Sequence, residues 1–595
     1  MTAPDTRLRI LDLRADYLVE PLGLEARHPR LSWRLESDRR GVMQRSYRIR
    51  ATADREGAHL LWDSGPVDSD ACFDIPYGGP PLQSMQRIWW DVAIVDDQGE
   101  QAQSAQSWFE GGLLAPEDWH ADWIEAEDEG AAADRAAGLQ WIWSADPLDP
   151  RPHGFRLDFD APADLVDAEI LVAAKDNLLG VWLNGEPASL PDLIYWGSLL
   201  PARGKVRPGR NSLCLLATAD TSGFFPVDGG AMAALIRLHR RNGDIERLVS
   251  GNAWRVQSDP AEGWTLPGFD ARNWDAAQPS GSRAQGDPRP KEPGICLRTE
   301  FTPRAPVVAA RLYATALGTY EARINGERVS DHLLAPEISV AQSHILYQTH
   351  DVTALLRDGA NALAFTVADG FYAGAFGWRM ERYGFGPAPR RLRAQLRIDY
   401  ADGTQQWVIT GRDWRIGGSP VVYSDIYGGE CHDARLEQSG WDSPDFDDSA
   451  WRTVRIGDAP TAQLIAQTSP PLRATRRLRP LAMTEPAPGR FLFDFGHNMP
   501  GWVTLRAQGP AGQQISLRFA ELLNPDGTAD QSNLRRAECT DHVILRGDPA
   551  GERFEPRFTY HGFRYVEVEG YPGRPTLDDI EAVVIHSDCR ETGEL

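Results

Sequence analysis

KDNLLGVWLNGEP (175–187) and ALGTYEARINGERV (316–329) share one pattern, a short apolar run that ends in Asn-Gly and turns back. Further matching pairs follow in the same order along the chain: GRNSLCLLATAD (209–220) with GANALAFTVADG (359–370), NAWRV (252–256) with RDWRI (412–416), and GFDARNWDAAQP (268–279) with DFDDSAWRTVRI (445–456). The preserved order indicates one fold that occurs twice, with insertions in the second copy.

Each Asn-Gly predicts a two-residue hairpin turn of type I′, because both central residues of that turn need positive φ. Elsewhere, short runs of β-branched and aromatic residues alternate with polar residues and are bounded by Gly, Pro, Asn or Asp, which is typical of strands. Stretches with the helical period are few and short. The sequence therefore predicts an all-β, multidomain chain of β-sandwiches and jelly rolls.

Four domains are predicted. The first resembles a fibronectin type III domain, because PRLSWRL (29–35), RSYRIRAT (45–52) and RIWWDVAIVDDQG (87–99) are spaced like the strands of one small sandwich. Trp33 and either Trp89 or Trp90 are expected to fill its core. The two copies follow, separated by a linker rich in Pro and Gly, QPSGSRAQGDPRPKEPG. The predicted boundaries are 1–115, 116–285, 286–460 and 461–595.

The net charge of the 595 residues is −23, with a pI near 5.0. Such a surface repels duplex nucleic acid and disfavours anionic membranes, so neither is an expected partner. No apolar run approaches the roughly 20 residues needed to span a bilayer. The N-terminal stretch MTAPDTRLRILDLRADYLVEPLG lacks the apolar centre of a secretory signal, so the cytoplasm is the expected location.

The six cysteines are far apart and form no C-x-x-C pair. Their spacing fits neither a disulfide framework nor a zinc knuckle. We expect six reduced thiols with structural roles and no special reactivity.

No nucleotide-binding, zinc-protease or serine-hydrolase signature occurs. Glycoside hydrolysis needs two carboxylates that face each other across a cleft. The clustered carboxylates here lie in turn-like contexts, in which Asp usually accepts hydrogen bonds from nearby backbone N–H groups. This interpretation covers Asp402, Asp445, Asp447, Asp448, Asp578 and Asp579.

SDIYGGECHDARLEQSGW (424–441) is the densest group of ionisable residues. A metal or acid-base site is conceivable there. The favoured interpretation is an ordered loop in which Arg435 pairs a carboxylate through two hydrogen bonds. His497 and His561 are each interpreted as a satisfied core or loop residue rather than a catalyst.

Several long motifs resemble one family, the bacterial α-L-rhamnosidases of glycoside hydrolase family 78. LFDFGHNMPGWVTLRAQGPAGQQISLRFAELLNPDGT and FTYHGFRYVEVEGYPG are similar to its concanavalin-like β-domain. ALGTYEARINGERVSD and DIYGGECHDARLEQSGW are similar to its N-terminal jelly-roll domain. The resemblance covers nearly the whole chain and implies a fibronectin-like domain, two galactose-binding-like jelly rolls and a concanavalin-like domain.

In this family the chemistry lies in a helical (α/α)6 barrel that follows the concanavalin-like domain and hydrolyses terminal α-L-rhamnosyl residues with inversion. The sequence ends in HSDCRETGEL, and the family's Asp-Cys-Pro-Gln-Arg-Asp-Glu-Arg motif does not occur. Asp588-Cys589-Arg590 has only its first two residues in common with the start of that motif. The resemblance therefore assigns no catalytic residue to this chain, which alone is expected to be inactive.

The first copy, 116–285, resembles the rhamnose-binding modules of carbohydrate-binding family 67. The resemblance implies a sugar site at Asp176, Asn177 and Trp196, and a calcium ion held by Asp176, Asn177 and Asp220. Asp220 stands where the family has an Asn ligand. No redox or organic cofactor is expected, and calcium is the one metal implied. The positions that match Asp176 and Asn177 in the second copy are Leu317 and Gly318, so the fold does not require the pair.

Three functions stay open at this point. The chain is expected to be the N-terminal, non-catalytic part of an enzyme that acts on L-rhamnose-containing glycosides. The alternatives are a stand-alone lectin-like protein and a scaffolding subunit that binds a separately encoded catalytic barrel.

Overall fold

The structure is a computed structural model, and nearly all of its regular structure is β-strand. It describes residues 8–127, 129–174, 177–188, 198–200, 205–219, 230–280, 292–304, 306–376, 382–383, 385–386, 389–534 and 537–590. Within these ranges the two α-helices, α1 (Glu129–Ala136) and α2 (Gly370–Ala373), have eight and four residues. Neither is long enough to cross a membrane. The predicted all-β fold class is confirmed.

The first domain is a sandwich of a three-stranded and a six-stranded sheet. Its strands are β1 (Arg9–Ala15), β2 (Arg30–Glu36), β3 (Gln44–Thr52), β4 (Leu60–Asp63), β5 (Val67–Asp68), β6 (Ile75–Pro76), β7 (Arg87–Asp96), β8 (Gln101–Gln103) and β9 (Ser107–Glu110). Every second residue of β7 is buried. Trp90 therefore joins Trp33 in the core, while Trp89 lies on the other face, paired with Trp108.

The second stretch forms two six-stranded sheets around one apolar core. Its strands are β10 (Ile124–Glu125), β11 (Ile142–Trp143), β12 (His153–Ala161), β13 (Leu165–Ala174), β14 (Asn177–Leu183), β15 (Glu186–Pro187), β16 (Ser198–Leu200), β17 (Gly209–Thr218), β18 (Met232–Arg240), β19 (Ile245–Val249), β20 (Arg255–Ser258), β21 (Asp275–Ala276) and β22 (Gln278–Pro279). One of these strands, β10, belongs to the next domain, as described below.

The third domain repeats this arrangement of two packed sheets. Its stretch of chain contains β23 (Ile295–Phe301), β24 (Val307–Leu317), β25 (Thr319–Ile324), β26 (Glu327–Arg328), β27 (His344–Asp351), β28 (Asn361–Ala368), β29 (Arg391–Tyr400), β30 (Gln405–Ile409), β31 (Arg415–Gly418), β32 (Val421–Asp425), β33 (Gly429–Asp433), β34 (Arg452–Thr453) and β35 (Gln463–Ala466). The sheet orders β15-β14-β17-β12-β20-β21 and β26-β25-β28-β23-β31-β34 correspond strand for strand. The predicted duplication is therefore visible in the topology.

The last domain is built on a ten-stranded sheet, with a two-stranded sheet beside it. Its strands are β36 (Leu472–Leu478), β37 (Ala482–Ala487), β38 (Arg490–Ala507), β39 (Gln514–Ala520), β40 (Leu522–Leu523), β41 (Ala529–Asp530), β42 (Thr540–Ile544), β43 (Glu552–Phe554), β44 (His561–Glu569) and β45 (Ile580–Ser587). Short 3-10 turns at Pro116–Asp118, Thr353–Leu355, Ala434–Leu436 and Ser532–Leu534 complete the described elements.

The sheets cross the predicted domain boundaries in three places. β10, predicted to belong to the second domain, pairs with β29 of the third. The hairpin β32–β33, predicted to belong to the third domain, enters the sheet of the last domain through β42. β35, predicted to open the last domain, pairs with β27 of the third. These are short strands, and alternation within a short strand does not specify which sheet it joins.

The two Asn-Gly turns have the predicted type I′ geometry. The φ angles are 54° at Asn184 and 85° at Gly185, and 53° at Asn325 and 84° at Gly326. Positive φ at both central residues matches the right-handed twist of the flanking strands. Asn tolerates this left-handed region better than most residues with a Cβ, which explains its use at both positions.

In the second copy the Asn325 side chain clamps the hairpin to the strand beside it. Its Oδ1 accepts the N–H of Ala362 at 2.9 Å, and its Nδ2 donates to Asn361 Oδ1 at 2.8 Å and to the carbonyl of Leu355 at 3.0 Å. All of these groups lie at one end of the sandwich, where backbone polar atoms would otherwise lack partners.

The first copy has the same clamp. Asn184 Oδ1 accepts the N–H of Ser212 at 2.9 Å, and its Nδ2 donates to Asn211 Oδ1 at 3.0 Å and to the carbonyl of Lys205 at 3.1 Å. The duplication therefore extends to individual hydrogen bonds.

We predict that Asn325→Ala lowers the free energy of unfolding by about 2 kcal/mol, because buried partners lose their hydrogen bonds and Ala disfavours positive φ. Urea unfolding followed by Trp fluorescence measures the change. Asn242→Ala, at an exposed surface turn, is the matched control and should have little effect. An equal loss in both variants would contradict the clamp.

Candidate functional site

The predicted sugar and calcium site falls mostly outside the described part of the chain. Asp176, Trp196 and Asp220 are not among the described residues. For Asn177 only the backbone is described, as the first residue of β14.

The described backbone next to this site brings two chain segments together. Asn177, which follows Asp176, pairs with Thr218 of β17, two positions before Asp220. β13 ends at Ala174, just before the same point. The described strand ends next to Asp176 and Asp220 therefore lie side by side at one end of this sheet.

The matching edge of the third domain is occupied by buried ion pairs. There Thr319 pairs with Ala368 as Asn177 pairs with Thr218 in the first copy. The prediction that Gly318 matches Asn177 is therefore wrong by one residue, because β14 has a bulge between Leu178 and Gly180. Asp369 follows directly and is fully buried. Its Oδ2 accepts a 2.7 Å hydrogen bond from Arg382 Nη2, and its Oδ1 lies 3.1 Å from Arg390 Nη1.

Sequence reasoning missed this cluster, because its members are separated along the chain and Asp369 sits in VADG, which resembles an ordinary turn. Since Ala368 corresponds to Thr218, Asp369 corresponds to Ala219, the residue before Asp220, and the second copy therefore has ion pairs next to the position that matches the predicted ligand. Within the described ranges no group of three or more His, Cys, Asp or Glu side chains is arranged to hold a metal ion.

The ionisable stretch 424–441 forms structural pairs, as favoured from the sequence. Arg435 binds Asp433 through two hydrogen bonds, Nε to Oδ1 at 2.9 Å and Nη2 to Oδ2 at 2.7 Å. His432 Nε2 lies 2.9 Å from Glu437 Oε1, and Asp425 Oδ1 accepts the N–H of Tyr427 at 2.9 Å. These contacts confirm the predicted Arg435 pair, but Gly429–Asp433 of this stretch is strand β33 and not loop, because it pairs with β42.

Three of the other clustered carboxylates show the predicted turn role, and Asp578 instead pairs with Arg479 at 3.1 Å. Asp402 Oδ1 accepts the N–H of Thr404 at 2.9 Å, and Asp447 Oδ1 accepts that of Ser449 at 3.1 Å. Asp579 Oδ2 accepts the N–H of Thr576 at 2.7 Å. Asp448 is different, since it pairs with the buried Arg298.

Arg298 belongs to an open polar groove on the third domain, which is also lined by Glu300, Asp413, Arg415 and Phe446. The guanidinium lies 5.4 Å from the centre of the Phe446 ring and pairs with Glu300. The repeated fold explains this arrangement without a ligand.

In the first copy Arg156 lies 5.8 Å from the ring of Phe269 and pairs with Asp158 in the same way. Because both copies share this arrangement, we interpret it as part of the sandwich fold and not as a binding site of one copy.

A small cavity of about 80 Å³ lies on the last domain, against His432, Glu437, Arg546 and Phe554. Its charged groups are already paired, since Arg546 Nη1 donates to Glu437 Oε2 at 2.5 Å. Ligand pockets usually enclose roughly 300 Å³ or more. This cavity is therefore a poor candidate for a sugar site.

Glu430 lies fully buried on β33, where the last two domains meet. Its Oε2 accepts the N–H groups of Arg557 at 3.0 Å and Phe558 at 2.9 Å. Burial raises the pKa of Glu430 to about 7, and these two hydrogen bonds oppose the rise. The side chain fastens the hairpin β32–β33 to the loop before β44.

His561 is buried, as expected, but it is not an isolated histidine. Its Nε2 lies 2.9 Å from Asp541 Oδ1, and its Nδ1 lies 3.3 Å from the sulfur of Cys539. Burial lowers the pKa of His561, but the negative charge of Asp541 and the contact with Cys539 outweigh it and raise the pKa to about 10. The sequence gives no signal for this group, because His561 stands 22 residues from Cys539.

Three family models match the chain. They are described as an alpha-L-rhamnosidase N-terminal domain at residues 305–476, a bacterial alpha-L-rhamnosidase concanavalin-like domain at 484–586, and a Rha78A-like N-terminal immunoglobulin domain at 10–115. The third description agrees with the two-sheet sandwich of the first domain.

The relatives that match nearly the whole chain are much longer than it is. An α-L-rhamnosidase of Streptomyces avermitilis is 40% identical over 609 residues, which cover 99% of this chain and 58% of that protein. The crystal structure of Streptomyces avermitilis α-L-rhamnosidase complexed with L-rhamnose superposes with a TM-score of 0.80 at 38% identity, over 98% of this chain and 58% of that one. The α-L-rhamnosidase from Dictyoglumus thermophilum gives a TM-score of 0.67 at 26% identity, over 98% and 49%.

We predict that the folding stability of Glu430→Gln decreases less with rising pH than that of the wild type. A carboxyl whose pKa is raised on folding stabilises the fold below its unfolded pKa, 4.5, and loses that contribution as pH rises through about 7. Between pH 5 and pH 8 the wild type should therefore lose about 2 kcal/mol of stability that the Gln variant retains.

Thermal midpoints at the two pH values test this prediction, with Glu56→Gln, at an exposed position, as the control. Glu430→Ala should be less stable at both pH values, because the N–H groups of Arg557 and Phe558 lose their acceptor. Identical pH dependence in the wild type and Glu430→Gln would refute the assignment.

Proposed function

The chain belongs to the family of bacterial α-L-rhamnosidases, whose N-terminal β-domains it carries, and we propose that it serves an enzyme that releases terminal α-L-rhamnosyl residues from glycosides. The proposal rests on the match to the Streptomyces avermitilis α-L-rhamnosidase. The match covers 99% of this chain, and this chain spans 58% of that protein. The remaining part of such relatives is where the resemblance places the catalytic barrel, which would hydrolyse the bond with inversion.

The described residues support a non-catalytic role for this part. They contain two short helices and no helical barrel. Asp402, Asp447 and Asp579 accept hydrogen bonds in turns, and Asp448 and Asp578 form ion pairs with Arg298 and Arg479. A hydrolytic centre needs two carboxylates that face each other across a cleft. In the polar groove Glu300 and Asp448 pair with the buried Arg298, and in the small cavity Glu437 pairs with Arg546.

We propose that the domains act as a rigid scaffold. The first domain contacts the third through a buried ion pair, in which Arg311 Nε donates to Glu110 Oε1 at 2.8 Å. The last domain contacts the third through Arg557, whose Nε donates to Glu321 Oε2 at 2.8 Å. Buried pairs of this kind are costly to separate, since each leaves an uncompensated charge.

The second domain is proposed to bind L-rhamnose with calcium, through Asp176, Asn177, Asp220 and Trp196. Calcium prefers six to eight oxygen ligands, and the carboxylates and the amide supply part of such a shell while sugar hydroxyls supply more. An indole ring stacks readily on the apolar face of a deoxy sugar. The pairing of Asn177 with Thr218 supports the proposal, because it places the strand ends next to Asp176 and Asp220 side by side.

We predict that the purified chain does not hydrolyse an aryl α-L-rhamnoside, because it lacks the acid-base pair that lowers the barrier. Release of the chromophore measures the activity, with a complete relative as the positive control. Turnover abolished by one Asp or Glu substitution would place the active site in these β-domains and overturn the proposal.

We predict that the chain binds L-rhamnose weakly and more tightly with calcium. Calorimetry with L-rhamnose, with calcium or with a chelator, measures the binding, and Asp176→Ala should abolish it. Asp244→Ala, at an exposed turn of the same domain, is the control. Equal binding by the wild type and Asp176→Ala, or no binding at millimolar sugar, would rule out the site.

A further inference from the structure

Three residues of the last domain form a chain of hydrogen-bonding side chains that the proposed function does not use. Cys539 directly precedes β42, Asp541 lies within β42, and His561 opens β44. The sulfur of Cys539 lies 3.3 Å from His561 Nδ1, and His561 Nε2 lies 2.9 Å from Asp541 Oδ1. This is the order of an activated thiol: a nucleophile within reach of a base, and the base oriented by a third group.

The base is held rigidly. The ring of Phe519 stacks on the imidazole of His561 with centroids 4.0 Å apart and an interplanar angle of 23°. Asp541 Oδ1 is fixed in turn by the N–H of Glu430 at 2.9 Å. The imidazole is thus fixed on one ring face and at Nε2, so that Nδ1 stays directed at the sulfur.

The cysteine is held in an uncommon conformation. Cys539 has φ of 47°, in the left-handed region that residues with a Cβ rarely adopt. Its N–H donates to the carbonyl of Tyr427 at 3.0 Å, and its own carbonyl accepts from Phe519 N–H at 3.1 Å. Two neighbouring segments therefore impose the conformation, and strain of this kind concentrates at functional positions.

We propose that Cys539 is a reactive thiol, a site of covalent modification by small electrophiles that is activated by His561 and Asp541. The thiol proton passes from sulfur to Nδ1 of His561, and the imidazolium lies between the thiolate and the carboxylate of Asp541. The raised pKa of His561 agrees with a ring that retains this proton.

The reaction with iodoacetamide is a simple displacement. The sulfur lone pair forms an S–C bond, the C–I bond breaks, and iodide leaves with the bonding electrons. The thiol proton stays on His561 or passes to water, so no oxidant or further reactant is needed.

The other cysteines provide controls within the same molecule. Cys431 has the same exposed fraction as Cys539, 7%, and lies on β33, which pairs with β42, so it is the comparison that is matched in exposure. Cys214 and Cys296 are more deeply buried, and burial raises the pKa of each thiol to about 12. These two should remain unlabelled in the native protein.

The experiment follows iodoacetamide labelling of the folded chain at pH 7 by peptide mass spectrometry over time. We expect Cys539 to be labelled at least about tenfold faster than Cys431, because a thiolate and not a thiol is the nucleophile. Equal or slower labelling of Cys539 would overturn the proposal without any mutation.

A variant separates activation from packing. His561→Gln should reduce labelling of Cys539 to the rate of Cys431, while His586→Gln, at an exposed position of the same sheet, should leave it unchanged. If His561→Gln loosens the domain, Cys431 on β33 of the same sheet is labelled faster than in the wild type, which identifies that outcome. A domain that stays folded and labels Cys539 at the wild-type rate would also overturn the proposal.

Discussion

The asparagine clamp is the contact on which both jelly rolls depend. A hairpin of type I′ ends each sandwich with backbone N–H and C=O groups that no strand can satisfy. Asn184 and Asn325 fill this gap with the same bonds, to Asn211 in one copy and Asn361 in the other. The clamp thereby holds β14 beside β17 in one copy and β25 beside β28 in the other.

The domains are joined by a different kind of contact, in which buried carboxylates accept hydrogen bonds. Glu110 binds Arg311 between the first and third domains, and Glu430 accepts two backbone N–H groups where the last two meet. Apolar packing is non-directional, whereas each of these bonds is satisfied in only one relative position. At the contacts between domains, the polar groups therefore fix the relative orientation, and the apolar groups supply buried area.

The elements that depend on local pattern could be predicted from the sequence. The duplication and its type I′ turns were predictable from the repeated Asn-Gly motifs. The alternation of strand residues predicted that Trp89 or Trp90 is buried, and the burial pattern of β7 shows that it is Trp90. The sheet membership of β10 could not be predicted, because two residues carry no register information. Nor could the group around His561, since contacts between distant positions leave no local signal in one sequence.

The two copies differ most at the edge where one is proposed to bind sugar. In the third domain this edge contains Asp369 with Arg382 and Arg390, so that its carboxylate is neutralised by protein. In the second domain the corresponding segments carry Asp176 and Asp220, and calcium would supply the positive charge instead. Burial of Asp369 without these arginines would be costly, because it would leave an isolated buried charge. Under the proposed function, the duplication provides one copy in which the cation is a protein side chain, which favours rigidity, and one in which the cation is exchangeable, which favours binding.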